Sequence, residues 1–438
     1  MARYYVETYG CTSNRGETQQ IEQALREGGH RPAETPEDAD VAILNTCTVL
    51  EKTERNMLAR ARELDEQTTA DLVITGCMAL AQGEEFEAAG IDADVLHWDE
   101  VPSHVLNGEC PTITPDTQPV LTGPTGILPI ARGCMSDCSY CITKQATGKI
   151  ESPTVEENVE KARALVRGGA REIRITGQDT GVYGWDINQG ESLLPELLDR
   201  ICTEIAGEFR VRVGMANPGG VHGVREDLAA TFAAHEEIYN FLHAPVQSGS
   251  DAVLADMRRQ HAVEQFREIV DTFDEHLEYW TLSTDFIVGF PTEDEADHEA
   301  SMALLRETRP EKINVTRFSK RPGTDAADMK GLGGTVKKER SKAMSELKMD
   351  VVGEAYEAMV GTEREVLLTE DGTEESLVGY DEAHRQIALP EAERQGFEIG
   401  DFVTVEVTGH NTVYAMGDPV AAELAETDAA AGRRGRSD

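Results

Sequence analysis

The chain lacks long apolar runs and a secretion signal. None of its apolar segments approaches the roughly 18 residues that a helix needs to cross a bilayer. The first residues, MARYYVETYGCTSNRGE, lack the basic and apolar pattern of a signal peptide. We therefore expect a cytoplasmic protein with no membrane partner. In that reducing compartment, eight cysteines among 438 residues indicate metal ligands, catalytic groups or core residues more than a disulfide framework.

Positive charge is also scarce. Lys and Arg number 41 against 81 Asp and Glu, giving a formal net charge of −40, and Arg outnumbers Lys. The acidic excess runs along the whole chain, which is typical of a surface that stays hydrated in concentrated salt. We therefore expect a halophilic source. Because such a surface repels nucleic acid, any RNA partner must meet local basic patches or high salt.

Residues 1–110 repeat one pattern three times. The apolar runs RYYVETYG, DVAILNT and ADLVITG are each followed by a helical pattern, at residues 14–27, 51–66 and 84–88. This alternation predicts a Rossmann-like parallel α/β sheet. Cys11, Cys47 and Cys77 come directly after the three runs. Because parallel strands open onto one crevice at their carboxyl ends, we expect these cysteines to meet in space.

The rest of the chain divides by composition. Residues 111–126 are rich in Pro, Thr and Gly and read as a linker. Residues 127–350 alternate six short strands with helices, which predicts a partial (β/α)6 barrel. Its last part, residues 317–348, has nine Lys or Arg against four Asp or Glu. Residues 357–420 carry five short β patterns and predict a small antiparallel β-barrel, and 421–438 read as a disordered tail.

Three further cysteines crowd one short segment. ARGCMSDCSYCITKQ, residues 131–145, contains Cys134, Cys138 and Cys141 after the first predicted barrel strand. Zinc is one interpretation, but its sites usually have four protein ligands, and this segment has no fourth Cys or His. A 4Fe-4S cluster held by three thiolates leaves one iron free for a substrate, and we favour this interpretation. The third interpretation is that the three cysteines have only a structural role.

The spacing Cys-x3-Cys-x2-Cys, with Tyr140 before the last cysteine, resembles the signature of radical S-adenosylmethionine (SAM) enzymes. The resemblance implies that the open iron chelates SAM. One electron from the cluster would then split SAM to methionine and a 5'-deoxyadenosyl radical.

The resemblance extends to the methylthiotransferases over nearly the whole chain. It is carried by YGCTSN, LNTCTV and TGCMA, by HAPVQSGSD and TDFIVGFPTE, and by a terminal barrel like the TRAM domain, which binds RNA. It implies that Cys11, Cys47 and Cys77 bind a second 4Fe-4S cluster that carries the sulfur. Structural core cysteines remain the alternative. We predict that Cys110 and Cys202 are not ligands.

The same resemblance suggests supporting residues. Gly177, Gln178 and Asp179, in RITGQDTGVYG, are candidates for contact with the SAM amino group, although loop structure alone would explain the glycines. Gln247 and Ser248 are further candidates for the cofactor, and for Ser250 and Asp285 a turn or cap role is equally plausible.

Two other positions bear on SAM or RNA. Arg321 and Gly323 lie where the last barrel strand leads into the basic stretch, and we prefer a contact with an RNA backbone phosphate there. Thr147 stands where many relatives have an Arg. If that Arg contacts SAM or RNA, Lys144 or Lys149 could replace it here, and we assign the role to neither.

The segment CSYCITKQATGKIESP most resembles the archaeal and eukaryotic threonylcarbamoyl-adenosine branch. That branch replaces hydrogen at C2 of the modified adenosine 37, next to the anticodon, with a methylthio group. The implied partners are the tRNA anticodon stem-loop, SAM, an electron donor and a sulfur donor. The alternatives are isopentenyl-adenosine in tRNA, an aspartate of a ribosomal protein, and a non-catalytic iron-sulfur protein that binds RNA.

Overall fold

The structure is a computed structural model that describes residues 2–48, 51–108, 119–373, 376–390 and 395–420. Cys110, the first half of the predicted linker (residues 111–118) and the predicted tail lie outside the described residues. In the described part of the chain, no helix combines the length and the apolar character that crossing a membrane requires.

The first sheet has five strands, all parallel, in the order β2-β1-β3-β4-β5. They are β1 (Arg3–Thr8), β2 (Arg31–Pro32), β3 (Val41–Thr46), β4 (Asp71–Gly76) and β5 (Asp94–Val95). The three long strands are those that the sequence predicts. The two edge strands have two residues each, too short to show a hydrophobic period.

Five helices accompany this sheet. They are α1 (Thr12–Glu27), α2 (Glu51–Gln67), α3 (Cys77–Gln82), α4 (Glu84–Ala88) and α5 (Glu100–Val105). Three were predicted within two residues of their ends, whereas α3 and α5 are single-turn or two-turn helices that the pattern did not indicate. Because β3 is buried along its whole length, helices cover both faces of the sheet, as expected for parallel strands.

Six parallel strands form an open barrel in the centre of the chain. They are β6 (Thr125–Pro129), β7 (Glu172–Thr176), β8 (Arg210–Arg212), β9 (Phe241–His243), β10 (Thr281–Val288) and β11 (Lys312–Arg317). Ladders join β6-β7-β8 and β9-β10-β11. Between the two groups, the N–H of Tyr239 donates to the carbonyl of Val211 at 2.9 Å. The strands thus follow chain order, as the prediction of a partial (β/α)6 barrel requires.

Ten helices belong to the barrel or leave it. They are α6 (Thr143–Thr147), α7 (Val155–Arg167), α8 (Leu194–Glu204), α9 (Pro218–Val221), α10 (Arg225–Ala234), α11 (Asp251–Asp256), α12 (Val263–His276), α13 (Glu295–Thr308), α14 (Asp325–Asp328) and α15 (Gly334–Glu357).

The first domain covers the edge of the barrel at β6. Helix α1 lies against this strand, and the N–H of Ile127 donates to Oε1 of Gln19 at 3.1 Å. Gly16 permits the close approach, because a Cβ at that position would lie 2.8 Å from the Ile127 side chain. An edge strand with free backbone groups is thereby protected by a helix.

The C-terminal strands close into a barrel in the order β12-β13-β14-β16-β15. They are β12 (Glu363–Asp371), β13 (Leu377–Tyr380), β14 (Gln386–Leu389), β15 (Phe402–Asn411) and β16 (Tyr414–Pro419). Four pairings are antiparallel, as predicted, but β14 and β16 pair in parallel. Five strands in a closed ring cannot alternate direction throughout, so at least one parallel pair is unavoidable.

Two predicted boundaries move. Strand β6 begins at Thr125, inside the predicted linker of residues 111–126. Helix α15 runs without a break from Gly334 to Glu357, across the predicted end of the barrel at residue 350. Several of its apolar side chains, including Val352 and Tyr356, are buried, so the helix joins the two domains as packed structure.

The C-terminal barrel and the central barrel share one apolar core, which includes Phe273 and Trp280 from one side and Leu377 and Ile387 from the other. Polar contacts also lie along the interface between the two barrels, which we call the seam. Arg385 donates to Oγ1 of Thr281 at 3.1 Å and to the carbonyl of Trp280 at 3.0 Å. The C-terminal barrel is therefore part of the body of the protein.

Candidate functional site

Two glycine turns bring Cys11, Cys47 and Cys77 together. Gly10 has φ 126° and approaches so closely that a Cβ would lie 3.1 Å from Cβ of Cys47. Gly76 has φ 87°, and a Cβ there would lie 2.4 Å from the carbonyl oxygen of Thr46. Both conformations favour glycine. As the strand pattern predicts, the three cysteines meet at the carboxyl ends of β1, β3 and β4.

Buried amides hold these turns in place. Asn14 donates through Nδ2 to Oδ1 of Asn45 at 2.9 Å and to the carbonyl of Thr46 at 3.1 Å. The Cys11 thiol donates to Oδ1 of Asn14 at 3.3 Å. Both asparagines lie in the motifs YGCTSN and LNTCTV, but their role was not predicted, because a sequence does not show which side chains face one another.

The electrostatics confirm that the thiols are close. Burial, followed by the negative charges of Glu17, Cys11 and Cys47, raises the pKa of the Cys77 thiol. Three thiolates together would repel one another in this partly buried place. A bound cation would remove that repulsion, since metals bind cysteine as the thiolate.

The second group of cysteines lies in the loop between β6 and α6. The N–H of Cys134 donates to the carbonyl of Gly148 at 3.2 Å, and the N–H of Cys141 to the carbonyl of Cys138 at 3.1 Å. The N–H of Ser136 points at the sulfur of Cys134 at 3.4 Å. Backbone contacts therefore shape the loop, while the sulfur atoms remain as donors for a metal.

Arg259 is a member of this site that sequence analysis missed. Its guanidinium donates to the sulfur of Cys138 at 3.5 Å and to the carbonyl of Pro245 at 3.1 Å. Burial raises the pKa of Cys138, and the positive charge of Arg259 acts against that shift. Arg259 therefore favours the thiolate. The signal was weak, because Arg259 stands in an ordinary run, DMRRQHA, more than 100 residues from the cysteines.

The three residues expected near the SAM amino group differ in their freedom. Gln178 lines a cavity of about 1020 Å³ between the first domain and the barrel, and Gly177 comes directly after β7. Asp179 is fully engaged by the protein: it accepts from the N–H of Gly181 at 3.1 Å and from Nδ2 of Asn217 at 2.7 Å. Its carboxylate shapes this loop, so Gln178 is the freer side chain.

The two candidates after β9 also differ. Gln247 adopts φ 71° and leaves its Oε1 buried without a hydrogen-bond partner among the described residues. Such an atom is costly unless a ligand satisfies it. Ser248 is buried and accepts from the N–H of Ser250 at 3.2 Å. Ser250 caps α11, which is the structural role considered for it.

A cavity of about 540 Å³ opens beside the second cysteine group. Tyr140 and Cys141 line one side, and Gln247 and Asp285 line another. Asp285 accepts from Nδ2 of Asn314 at 2.7 Å. The cavity lies at the carboxyl ends of β9, β10 and β11, where a barrel of this type holds its reactants.

Arg321 connects the two cysteine-bearing regions. It is only 4% exposed, donates to the carbonyl of Thr48 at 2.9 Å and pairs with the Glu54 carboxylate. Thr48 follows Cys47 and also contacts Gln82 at the end of α3, at 2.7 Å. This burial contradicts the predicted contact of Arg321 with an RNA phosphate. The carbonyl of Gly323 accepts from Nε2 of Gln145 at 2.7 Å.

The remaining sequence candidates have structural contacts. Lys144 donates to the carbonyl of Cys134, and Thr147 donates to the carbonyl of Thr143 at 3.0 Å. Lys149 makes no comparable side-chain hydrogen bond within the described part of the chain. Cys202 packs against the central core from α8, with possible donor atoms of His235 and Glu237 within 4.8 Å.

Three family models match the chain in succession. Residues 3–97 match the Uncharacterized protein family UPF0004, residues 128–305 the Radical SAM superfamily, and residues 357–420 the TRAM domain. Among solved structures, the radical S-adenosylmethionine methyltransferase TsrM from Kitasatospora setae has a similar fold. The TM-score is 0.53 at 13% identity, covering 74% of this chain and 76% of that one.

Curated relatives match along almost the whole chain. The probable threonylcarbamoyladenosine tRNA methylthiotransferase of Archaeoglobus fulgidus is 36% identical over 95% of this chain and 98% of its own length. That of Pyrococcus horikoshii is 34% identical over 95% and 99%. The threonylcarbamoyladenosine tRNA methylthiotransferase of Danio rerio is 32% identical over 96% and 79%. This chain therefore belongs to the family of threonylcarbamoyladenosine tRNA methylthiotransferases.

Proposed function

We propose that this protein is a radical SAM enzyme that adds a methylthio group to C2 of N6-threonylcarbamoyladenosine 37 in tRNA. One observation carries the proposal: the two groups of three cysteines face the same junction. Helix α3, which begins at Cys77, packs against α6, which follows Cys141 by two residues. Because sulfur insertion needs a radical source and a sulfur carrier side by side, this juxtaposition supports the chemistry named for the relatives.

The residues fit two iron-sulfur clusters and SAM. Cys134, Cys138 and Cys141 would hold one 4Fe-4S cluster, and Cys11, Cys47 and Cys77 the second, since thiolates are the ligands that these clusters take. The Oε1 of Gln247, which has no partner among the described residues, and the amide of Gln178, which lines the larger cavity, suit the polar groups of SAM. When bound, SAM and the first cluster supply the radical that removes the C2 hydrogen, and SAM also supplies the methyl group.

The protein's own residues position these groups. The Asn14–Asn45 contact fixes the turns of the first trio, Arg259 favours the thiolate of Cys138, and Arg321 fastens the Cys47 turn to the barrel mouth. Two cavities open beside the cysteine loop and together offer room for a cofactor and a nucleoside. An anticodon-loop base suits such a site, because unstacking it costs less than extracting a base from a duplex.

We infer the wider setting from composition and chemistry. The tRNA anticodon stem-loop is the RNA partner, and an electron donor and a sulfur donor complete the reaction. The net charge of −40 supports a cytoplasm rich in salt, as in a halophilic archaeon, where screening allows tRNA to approach. The domains we propose are a sulfur-carrying domain near residues 1–110, a radical domain through α15, and an RNA-binding barrel near residues 357–420.

Nucleoside mass spectrometry of tRNA from a deletion strain tests the proposed function. The strain should accumulate threonylcarbamoyladenosine without its methylthio derivative, and the intact gene should restore the derivative. An unchanged derivative in the deletion strain would refute the proposal. Loss of a methylthio group from isopentenyl-adenosine, or from a ribosomal-protein aspartate, would identify one of the alternative substrates. A non-catalytic RNA-binding protein would produce no 5'-deoxyadenosine from SAM and dithionite under anaerobic conditions.

A further inference from the structure

The cavity beside Cys141 carries two positive side chains that lack an acidic partner among the described residues. Arg317 ends β11 and Lys348 lies in α15, and both line the cavity of about 540 Å³. Neither makes an ion pair with a carboxylate of the described chain under a 4.0 Å limit. In a chain with a net charge of −40, this is a local reversal of charge at the place where a substrate would enter.

The other charged residues of the lining are already engaged. Arg321 pairs with Glu54. Asp285 accepts from Nδ2 of Asn314 at 2.7 Å and lies 3.2 Å from Nε2 of His243. The excess positive charge therefore comes from Arg317 and Lys348, and an anion entering the cavity would meet these two groups.

Lys348 gives up part of its hydration to line the cavity. Its side chain is partly buried, and that burial lowers the pKa of its ammonium group. A desolvated cation without a counter-charge is unfavourable. A bound anion would offset that cost, so the arrangement favours a negatively charged ligand over an apolar one.

We propose that Arg317 and Lys348 bind the carboxylate of the threonylcarbamoyl group and so select this substrate. The inference rests on the proposed function. A base that enters the site carries its N6 substituent with it, whereas the phosphates stay on the strand outside. The isopentenyl substituent has no negative charge and would leave both cations unpaired.

The two side chains would contact the carboxylate in different ways. The guanidinium of Arg317 presents a planar fork that can hold both oxygens of a carboxylate, and the ammonium of Lys348 adds a compact point charge. Since hydrogen bonds to charged groups contribute substantially to binding, each truncation should lower kcat/KM about 10- to 100-fold.

The test compares two anticodon stem-loop RNAs with the full, cluster-loaded enzyme. One carries threonylcarbamoyladenosine, and the other carries its methyl ester, in which a neutral methoxy group replaces the charged carboxylate oxygen. The wild type should modify the acid at least about tenfold more efficiently than the ester. Arg317→Gln and Lys348→Gln should each reduce this preference, mainly by slowing the reaction of the acid.

Lys342→Gln is the matched control. Lys342 lies in the same helix as Lys348, but it pairs with Glu346 at 3.5 Å and its side chain is 74% exposed. This variant should keep the preference for the acid. Variants at Arg317 and Lys348 that keep the full preference, or that lose activity equally on both RNAs, would overturn the proposal and indicate a phosphate contact or a structural role. A wild-type enzyme that modifies neither RNA would instead refute the proposed function itself.

Discussion

The cysteines within each group of three differ in their burial and in the charges beside them. Cys11 is exposed and Cys47 is buried, although both follow a parallel strand. In the second group, burial and the charge of Asp179 raise the pKa of Cys134, while Arg259 lies against Cys138. Substitutions within one group should therefore share their effect on cluster binding and differ in their effect on local stability.

The second cysteine group should be required for SAM cleavage. Cys138→Ser replaces a soft thiolate by a hydroxyl, which is a poor ligand for iron. We expect no 5'-deoxyadenosine above background from anaerobically reconstituted Cys138→Ser, measured by chromatography with SAM and dithionite. Cys202→Ser, a change in a cysteine outside both groups, is the control and should keep wild-type cleavage. Full cleavage by Cys138→Ser would contradict the assignment.

The first group should be required only for sulfur insertion. Cys47→Ala should still produce 5'-deoxyadenosine but add no methylthio group to tRNA, and iron should fall from about eight to about four per chain. Both products and the iron are measured without oxygen. Methylthio transfer at the wild-type level would show that Cys11, Cys47 and Cys77 are structural. Loss of SAM cleavage as well would show that the first domain supports the barrel.

For single residues, the sequence predicted the grouping of the cysteines better than the side chains that contact them. The cysteines were predictable because each follows a strand or lies in one short loop. The use of Asp179 by Asn217, and the approach of Arg259 to Cys138, depend on side chains far apart in sequence. Arg321 was misread for the same reason, since its acidic partner, Glu54, lies in another domain.

Among the elements, the loop after β11 does most to relate the two cysteine groups. It carries Arg321 into the first domain and places the Gly323 carbonyl beside α6. A single loop thus contacts the turn after Cys47 and the helix after Cys141. Its geometry should govern how the two sites face each other.

Arg321→Met should loosen that junction. Removing one partner of a buried ion pair leaves the Glu54 charge uncompensated, which typically costs about 3–5 kcal/mol. We expect faster proteolysis between the first two domains and methylthio transfer reduced more than SAM cleavage. The double variant Arg321→Met, Glu54→Gln should recover part of the stability. Lys320→Met, at the exposed neighbouring position, is the control. Equal loss of both activities would argue against a positioning role.

Element prediction succeeded where apolar runs stand between turn residues. The strands of the central barrel and of the C-terminal barrel were recognised from short apolar runs between turn residues. Helix α15 was not recognised as one unit, because its charges are spread around its circumference and only a few apolar side chains, such as Met344 and Val352, are buried. Strand direction in the last barrel was fixed by ring closure, which no local pattern shows.

For the whole molecule, the main feature is the shared core of the two barrels. The turn after β13 inserts Asp381 and His384 into this seam, where the Tyr279 hydroxyl donates to Asp381 at 2.6 Å. Glu172 at the start of β7 lies 3.8 Å from Nε2 of His384. Buried charges of the central barrel therefore have partners in the last domain.

Removing residues 357–438 should destabilise the central barrel as well as weaken tRNA binding. The deletion would expose the apolar seam and strip Glu311 and Tyr279 of their partners. We expect a lower thermal midpoint and poor solubility, followed by calorimetry and light scattering. A truncated chain that melts at the wild-type temperature would show that the seam contributes little.

The stabilising contributions of Glu172 and His384 to the seam should fall in acid. Burial would raise the pKa of Glu172, but contacts with His384, Arg174 and Thr125 bring it to about 2. Burial, with the charges of Arg212 and Lys312, lowers the pKa of His384 to about 3. Both values are below the ordinary 4.5 and 6.5. At these two positions the unfolded chain therefore binds more protons, and their contribution to stability falls as the pH drops from 6.5 toward 3. Asp381 acts in the opposite direction, because burial raises the pKa of its carboxyl to about 6.

His384→Asn tests the histidine part of this dependence. Asparagine tolerates the φ of 56° at this position and does not titrate there. Denaturant titrations between pH 6.5 and pH 4.5 should show a slope smaller by up to about 1.4 kcal/mol per pH unit than in the wild type. Equal slopes in the wild type and the variant would contradict a buried neutral His384.

The shared seam also constrains the order in which the domains can finish folding during synthesis. Ribosomes release a chain from its N-terminus, so the cysteine-bearing domains emerge before Arg385, which closes the contacts of Trp280 and Glu311. Until the last strands are synthesised, the nascent central barrel exposes the apolar surface that the C-terminal barrel covers in the finished protein. A prematurely terminated chain would expose that apolar surface to the cell's proteases. Only a full-length chain would then persist long enough to bind the proposed iron-sulfur clusters.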